Sequence, residues 1–137
     1  MKIFIICSKH FYSKVPQIKQ QLEKIGHIIT LPNSFEAPFK EQEMKVLGKE
    51  QHKEWKRSML ALHEPKVKEN DAVLVLNYDK EEQQNYIGGA TFLEIYKAYE
   101  NGKKIFLLNP IPNNLFRDEL IAIDPIIIYG NLSIVEQ

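Results

Sequence analysis

The segment Asn85-Tyr86-Ile87-Gly88-Gly89-Ala90-Thr91-Phe92-Leu93-Glu94 holds the residue types and spacing in this chain that best suit chemistry. Gly88 and Gly89 follow an apolar run and stand where a helix should begin. Glycine there lets the backbone approach a bound molecule, and a helix N-terminus offers unpaired N–H groups and partial positive charge. Glu94 lies about one turn into that helix, and Ala90 and Ala98 on the same face leave room beside its carboxylate. The helix dipole is expected to favour its ionised form. A carboxylate so placed can act as a nucleophile or stabilise a developing cation. Plainer readings stay open, because a Gly-Gly pair makes ordinary turns and a helix glutamate can simply be solvated.

Other reactive residue types offer less. Cys7 closes an apolar run and reads as an inert core thiol. As the one cysteine, it allows no intrachain disulfide and no thiolate cluster. His10, His27, His52 and His63 share no metal-ligand spacing, so no metal or other cofactor is expected. Lys53, Lys56 and Arg57 form a basic cluster offset by Glu50 and Glu54. It reads as a solvated helix face, from which one cation can reach a phosphate.

These residues need a scaffold. Five apolar runs, at 2–7, 27–31, 71–77, 104–108 and 125–129, are apolar on consecutive rather than alternating positions. That pattern fits strands buried on both faces of a parallel sheet. Between them, Val15, Ile18, Leu22 and Ile25 sit at helical spacing before Gly26, a glycine placed to stop a helix. Trp55, Met59 and Leu62 make a second stripe, expected to seat a helix on the sheet. The segment 36–49 carries few apolar anchors and reads as a mobile cover. Further helices are expected over 89–100 and 114–122. The alternation predicts an α/β fold, a three-layer α/β/α sandwich with a five-stranded parallel sheet in the order 2-1-3-4-5, flavodoxin- or Rossmann-like. The 137 residues fit a single domain.

In such sheets ligands bind beyond the carboxyl ends of the strands, near the point where strand order reverses. That rule selects Ser8, Lys9 and His10 after the first strand, Pro32 and Asn33 after the second, Asn77, Tyr78 and Asp79 after the third, Gly88 and Gly89 in the following loop, and Asn109 and Pro110 after the fourth. Asp71 opens the third strand at the opposite edge and reads as a cap or solvated residue.

The run DAVLVLNYD…YIGGATFLEIYKAYENGKKIFLLN resembles the nucleoside 2-deoxyribosyltransferase-like superfamily, which includes 2'-deoxynucleoside 5'-monophosphate N-glycosidases. The shared pattern is an aspartate-headed strand, a glycine loop, a helix with Glu among small residues, and a Gly-Lys turn into the next strand. It is firmest over 71–109 and weaker over 1–31. The resemblance implies cleavage or transfer at the N-glycosidic bond of a deoxynucleoside or its 5'-monophosphate. Glu94 matches the family's nucleophile, which attacks the anomeric carbon through an oxocarbenium-like transition state. His63 stands where the family has an aspartate and can still donate a proton. Phe4 stands in place of a strand-one tyrosine, and the 79–87 loop is longer than the family's.

Eighteen Lys plus Arg balance eighteen Asp plus Glu, so no basic field favours a nucleic acid polymer or an anionic membrane as partner. No membrane-spanning run or leader is read in the sequence, and a cytoplasmic location is expected. The expected partners are a small nucleoside or nucleotide and a second copy of the chain. Homo-oligomer contacts are assigned to Tyr96 and Tyr99 on the Glu94 helix. The competing reading is a binding or sensor domain that holds a nucleotide or nucleotide-sugar without turnover.

Overall fold

A computed structural model of the chain describes residues 1–135. It contains five strands: β1 (Lys2–Ile6), β2 (Ile28–Thr30), β3 (Ala72–Val75), β4 (Lys104–Leu107) and β5 (Ile126–Ile127). Six α-helices lie between them among the described residues: α1 (Val15–Lys24), α2 (Lys40–Leu47), α3 (Lys49–Ala61), α4 (His63–Glu69), α5 (Gly89–Glu100) and α6 (Arg117–Ile123). The sheet is parallel throughout in the order β2-β1-β3-β4-β5, the expected α/β sandwich.

Alternating side chains of the central strands enter opposite layers, and both layers are apolar. Ile3 and Ile5 pack with Leu74 and Phe106 against Val15 and Leu22 of α1. Phe4 and Ile6 pack with Val73 and Leu107 against Val67 of α4, Ile95 of α5 and Leu120 of α6. Burial on both faces is why these strands read as unbroken apolar runs. Two helices end by the same device. Gly26 (φ 97°) and Gly102 (φ 65°) take the left-handed conformation just past α1 and α5. At each end, two backbone N–H groups then reach back to the last turn's carbonyls at 3.0–3.1 Å, from Gly26 and His27 and from Gly102 and Lys103.

Several elements differ from expectation for identifiable reasons. The first helix opens as a 3-10 turn, Lys9–Lys14, and becomes α-helical only at Val15. Pro16 has no N–H to donate and fits only the first α-helical turn. The Trp55 stripe does not seat a helix on the sheet, because α3 buries no residue and the chain turns at Leu62. Pro65 forces that turn, since its ring would clash with the carbonyl four residues earlier in a continuous helix. α6 starts at Arg117 rather than 114, after a turn in which Asn114 Oδ1 accepts from the Phe116 N–H at 2.9 Å. β5 is only two residues long, between Pro125, which donates no ladder bond, and Tyr129 at φ 49°. Segment 36–49 contains the helix α2. Among the described residues, no helix is long and apolar enough to cross a membrane.

Candidate active site

Beyond the carboxyl ends of β1, β2 and β3 lies a cleft of about 430 Å³, at the place where strand order reverses. Three pieces of chain build it. Residues 7–10 leave β1, Pro32, Asn33 and Ser34 leave β2, and residues 88–91 open α5. Trp55, Lys56 and Met59 of α3 and Glu41 of α2 cover it.

Glu94 and His63 meet inside this cleft. Glu94 is 7% exposed and His63 6%, and His63 Nε2 lies 3.9 Å from Glu94 Oε2. α5 supplies the glutamate from its second turn, and α4, packed beside α5, supplies the histidine as its first residue. The turn that Pro65 imposes is therefore what aims the imidazole at the carboxyl. Burial pushes Glu94 up to about 8, against the opposing charges of Lys66 and Lys56. The expected dipole-stabilised carboxylate is thus corrected: desolvation outweighs the helix field, and the resting group is protonated at neutral pH. Burial, with the charges of Lys56 and Lys97, holds His63 below its ordinary value. The pair is neutral at rest, with one exchangeable proton on Glu94.

The remaining residues expected at the site divide into two groups. Ser8 lines the cleft, where its Oγ accepts from the His10 N–H at 3.4 Å, and Gly88 and Gly89 also line it. A Cβ added at Gly89 meets nothing within 4 Å, so the missing side chain leaves cleft space rather than core space. Gly88 caps α5 without a side-chain acceptor. The first-turn N–H groups of α5 thus remain open to a ligand. Gly89→Ala is expected to keep or slightly raise the melting temperature, since alanine favours helix. It should also weaken nucleotide binding severalfold, which titration calorimetry beside a thermal melt will read.

Asn77, Tyr78, Asp79 and Asn109 lie outside the cleft lining. Fully buried Asn77 donates to the Asn109 and Pro110 carbonyls at 2.8 and 3.1 Å, and its Oδ1 accepts from the Asn109 N–H at 2.9 Å. Asn109 Nδ2 returns a bond to the Asn77 carbonyl at 3.1 Å, so the two amides lock the exits of β3 and β4 together. Tyr78 packs edge-on to Phe11 with ring centroids 5.5 Å apart. Asp79 accepts from the Asn85 N–H at 2.9 Å and holds the 79–87 loop. Asp71 has the structural part expected of it, accepting from the Lys2 N–H at 2.8 Å.

Several cleft residues escaped the sequence reading. Phe4 is wholly buried beneath α4 and reaches no ligand space, but Tyr12 brings a phenol into the cleft from the 3-10 turn. Burial, together with Cys7 and Glu94, pushes Tyr12 up to about 12. Cys7 is likewise pushed up to about 12, by burial and by Glu94, consistent with an inert thiol. Asn33, which the strand-end rule did select, carries a buried Oδ1 with no hydrogen-bond partner among the described residues, an acceptor left over for a donor on a ligand. Lys56 is the cation of its basic cluster that reaches the cleft, where it joins Lys9, Lys45 and Lys80 in a lining whose acids among the described residues are Glu41 and Glu94. Glu41 Oε2 accepts from His52 Nε2 at 3.0 Å and Lys56 Nζ at 3.4 Å, and Lys9 Nζ lies 3.8 Å from its Oε1. Burial raises the Glu41 pKa, but bonding from His52 and the charge of Lys56 outweigh that and hold it below the usual range. The only signal for these residues was their position after strand ends or on the cover. Tyr96 and Tyr99 are half-exposed on the outer side of α5, bordering an apolar groove with Ala122 and Ile123 of α6.

No protein-family model matches the chain, and no curated protein matches it.

Proposed function

We propose that this protein cleaves or transfers the N-glycosidic bond of a 2'-deoxynucleoside 5'-monophosphate, with Glu94 as nucleophile and His63 as its proton partner. One observation carries the reading: a buried glutamate and histidine 3.9 Å apart on the floor of a cleft rimmed with lysines. The lysines and the open N-terminus of α5 suit the phosphate, and buried Glu94 suits the anomeric carbon. In this scheme Glu94 passes its proton to His63, and the carboxylate attacks the anomeric carbon. The electron pair of the breaking C–N bond leaves with the base. Imidazolium His63 protonates the departing nitrogen, leaving a glycosyl ester on Glu94. Water or a second base then displaces the carboxylate, and an attacking water gives its proton to neutral His63.

A binding role without turnover is favoured by one observation, the burial of Glu94, which pushes its carboxyl toward the neutral form. A single experiment separates the two readings. Deoxynucleosides and their 5'-monophosphates are incubated with the protein between about pH 5 and 8, the range in which histidine titrates, and released base is separated by chromatography. Release is expected from the monophosphates in preference to the nucleosides. Nucleotide binding without base release across that range would leave the binding reading in its place.

A further inference from the structure

No residue from 33 to 62 is buried, although this segment contains α2, α3 and the cover of the cleft. A helix pair with no buried anchor needs polar ties to stay in place. Its most connected tie is Glu41, whose side chain is 20% exposed and whose carboxylate meets Lys9 of the body and His52 and Lys56 of α3. Lys9, Lys56 and Glu41 all line the cleft. Three nitrogens thus converge on one carboxylate at the mouth of a cavity that holds a buried reactive pair.

We propose that Lys9, His52 and Lys56 form a binding site for a phosphoryl dianion, which Glu41 occupies as an internal stand-in until a phosphate-bearing ligand displaces it and releases α2. A carboxylate and a phosphate monoester share the same chemistry of charge-assisted acceptance, and the dianion brings more charge and a third oxygen. Lys56 ties this site to the chemistry, because its charge also bears on Glu94 and His63. Displacing Glu41 therefore sets a phosphate in the cleft that holds the reactive pair and opens the cover in one event. The apparent affinity for ligand is reduced by the fraction of molecules in which Glu41 holds the site.

The inference rests on a phosphate-bearing ligand in the proposed function but not on glycosidic chemistry, so it is tested by binding alone. Sodium phosphate, 2-deoxyribose 5-phosphate and 2-deoxyribose are titrated calorimetrically into the wild type, Glu41→Gln and Lys56→Gln. Glu41→Gln is expected to bind both phosphate compounds about fivefold more tightly, the gain from removing a competitor that holds the site most of the time. Lys56→Gln is expected to bind them severalfold more weakly, and unphosphorylated 2-deoxyribose should not distinguish the variants. Saturating phosphate should also speed proteolytic cleavage of the wild type within 36–48. Equal or weaker phosphate binding by Glu41→Gln would overturn the proposal, as would cleavage unaffected by phosphate. Tighter phosphate binding by Glu41→Gln with no base release from any nucleotide would instead count against the glycosidase reading and leave this site standing.

Discussion

Glu94→Gln is expected to lower base release at least about a thousandfold, the scale lost when an essential nucleophile is removed. Glutamine fills nearly the same volume but cannot form the glycosyl ester or hand a proton to His63. Its amide also withdraws the proton from the 3.9 Å pair that the scheme requires for the departing base. The loss should appear in turnover rather than in binding, because the lysine rim and the α5 N-terminus are untouched. Circular dichroism should be unchanged, and the melting temperature at neutral pH should not fall. Base release near the wild-type rate would remove Glu94 from the nucleophile role.

The same residue should govern how stability varies with pH. Its carboxyl is pushed from 4.5 in the unfolded chain to about 8 in the folded one, so between those values the native state holds a proton that the unfolded state has lost. Stability is fully present below about pH 4.5 and declines as pH rises to 8, by on the order of 4 kcal/mol. Glu94→Gln has no such proton and should not show this decline between pH 6.5 and 8, leaving the variant more stable than the wild type at pH 8. His63 works in the other direction. Its lowered folded value means that stability present above the unfolded 6.5 is lost as pH falls through the folded value. Urea unfolding at pH 5, 6, 7 and 8 reads both slopes. Parallel profiles for wild type and Glu94→Gln would show that burial of this carboxyl carries no such penalty.

The sheet was legible because strands buried on both faces read as short unbroken runs rich in β-branched residues: Ile3 to Ile6 and Ala72 to Val75 are apolar at every position. Glu94 was legible because its helix follows a glycine pair at the exit of β3, where such folds place ligands. The strand-end rule failed for Asn77 and Asn109 on a physical point. A polar residue at a strand exit faces either the cleft or its neighbouring strand, and two asparagines opposite one another satisfy each other's amides. The α3 half of the cover was illegible for a different reason. Trp55 and Met59 repeat at helical spacing whether a helix faces a core or a cavity, and periodicity does not separate the two. The protonation of Glu94 was misjudged because the dipole is visible in sequence, whereas the desolvation that outweighs it depends on packing by distant residues.

β1 and β3 are neighbours in the sheet, with Ile3 beside Ala72, yet the chain between them contains α1, β2 and the whole cover. Bringing those strands together closes one long loop, and the entropy of closing it grows only with the logarithm of its length, about 0.6 kcal/mol for each doubling. Because 33–62 adds no fully buried residue and meets the core layers through Phe35, insertions, deletions or replacements over 36–62 leave both core layers in place. The segment that decides what fits over Glu94 is therefore the one the fold is freest to exchange. In a library built on this scaffold, ligand preference can be varied across the cover while the sheet stays constant, with Lys56 kept because its charge bears on Glu94 and His63.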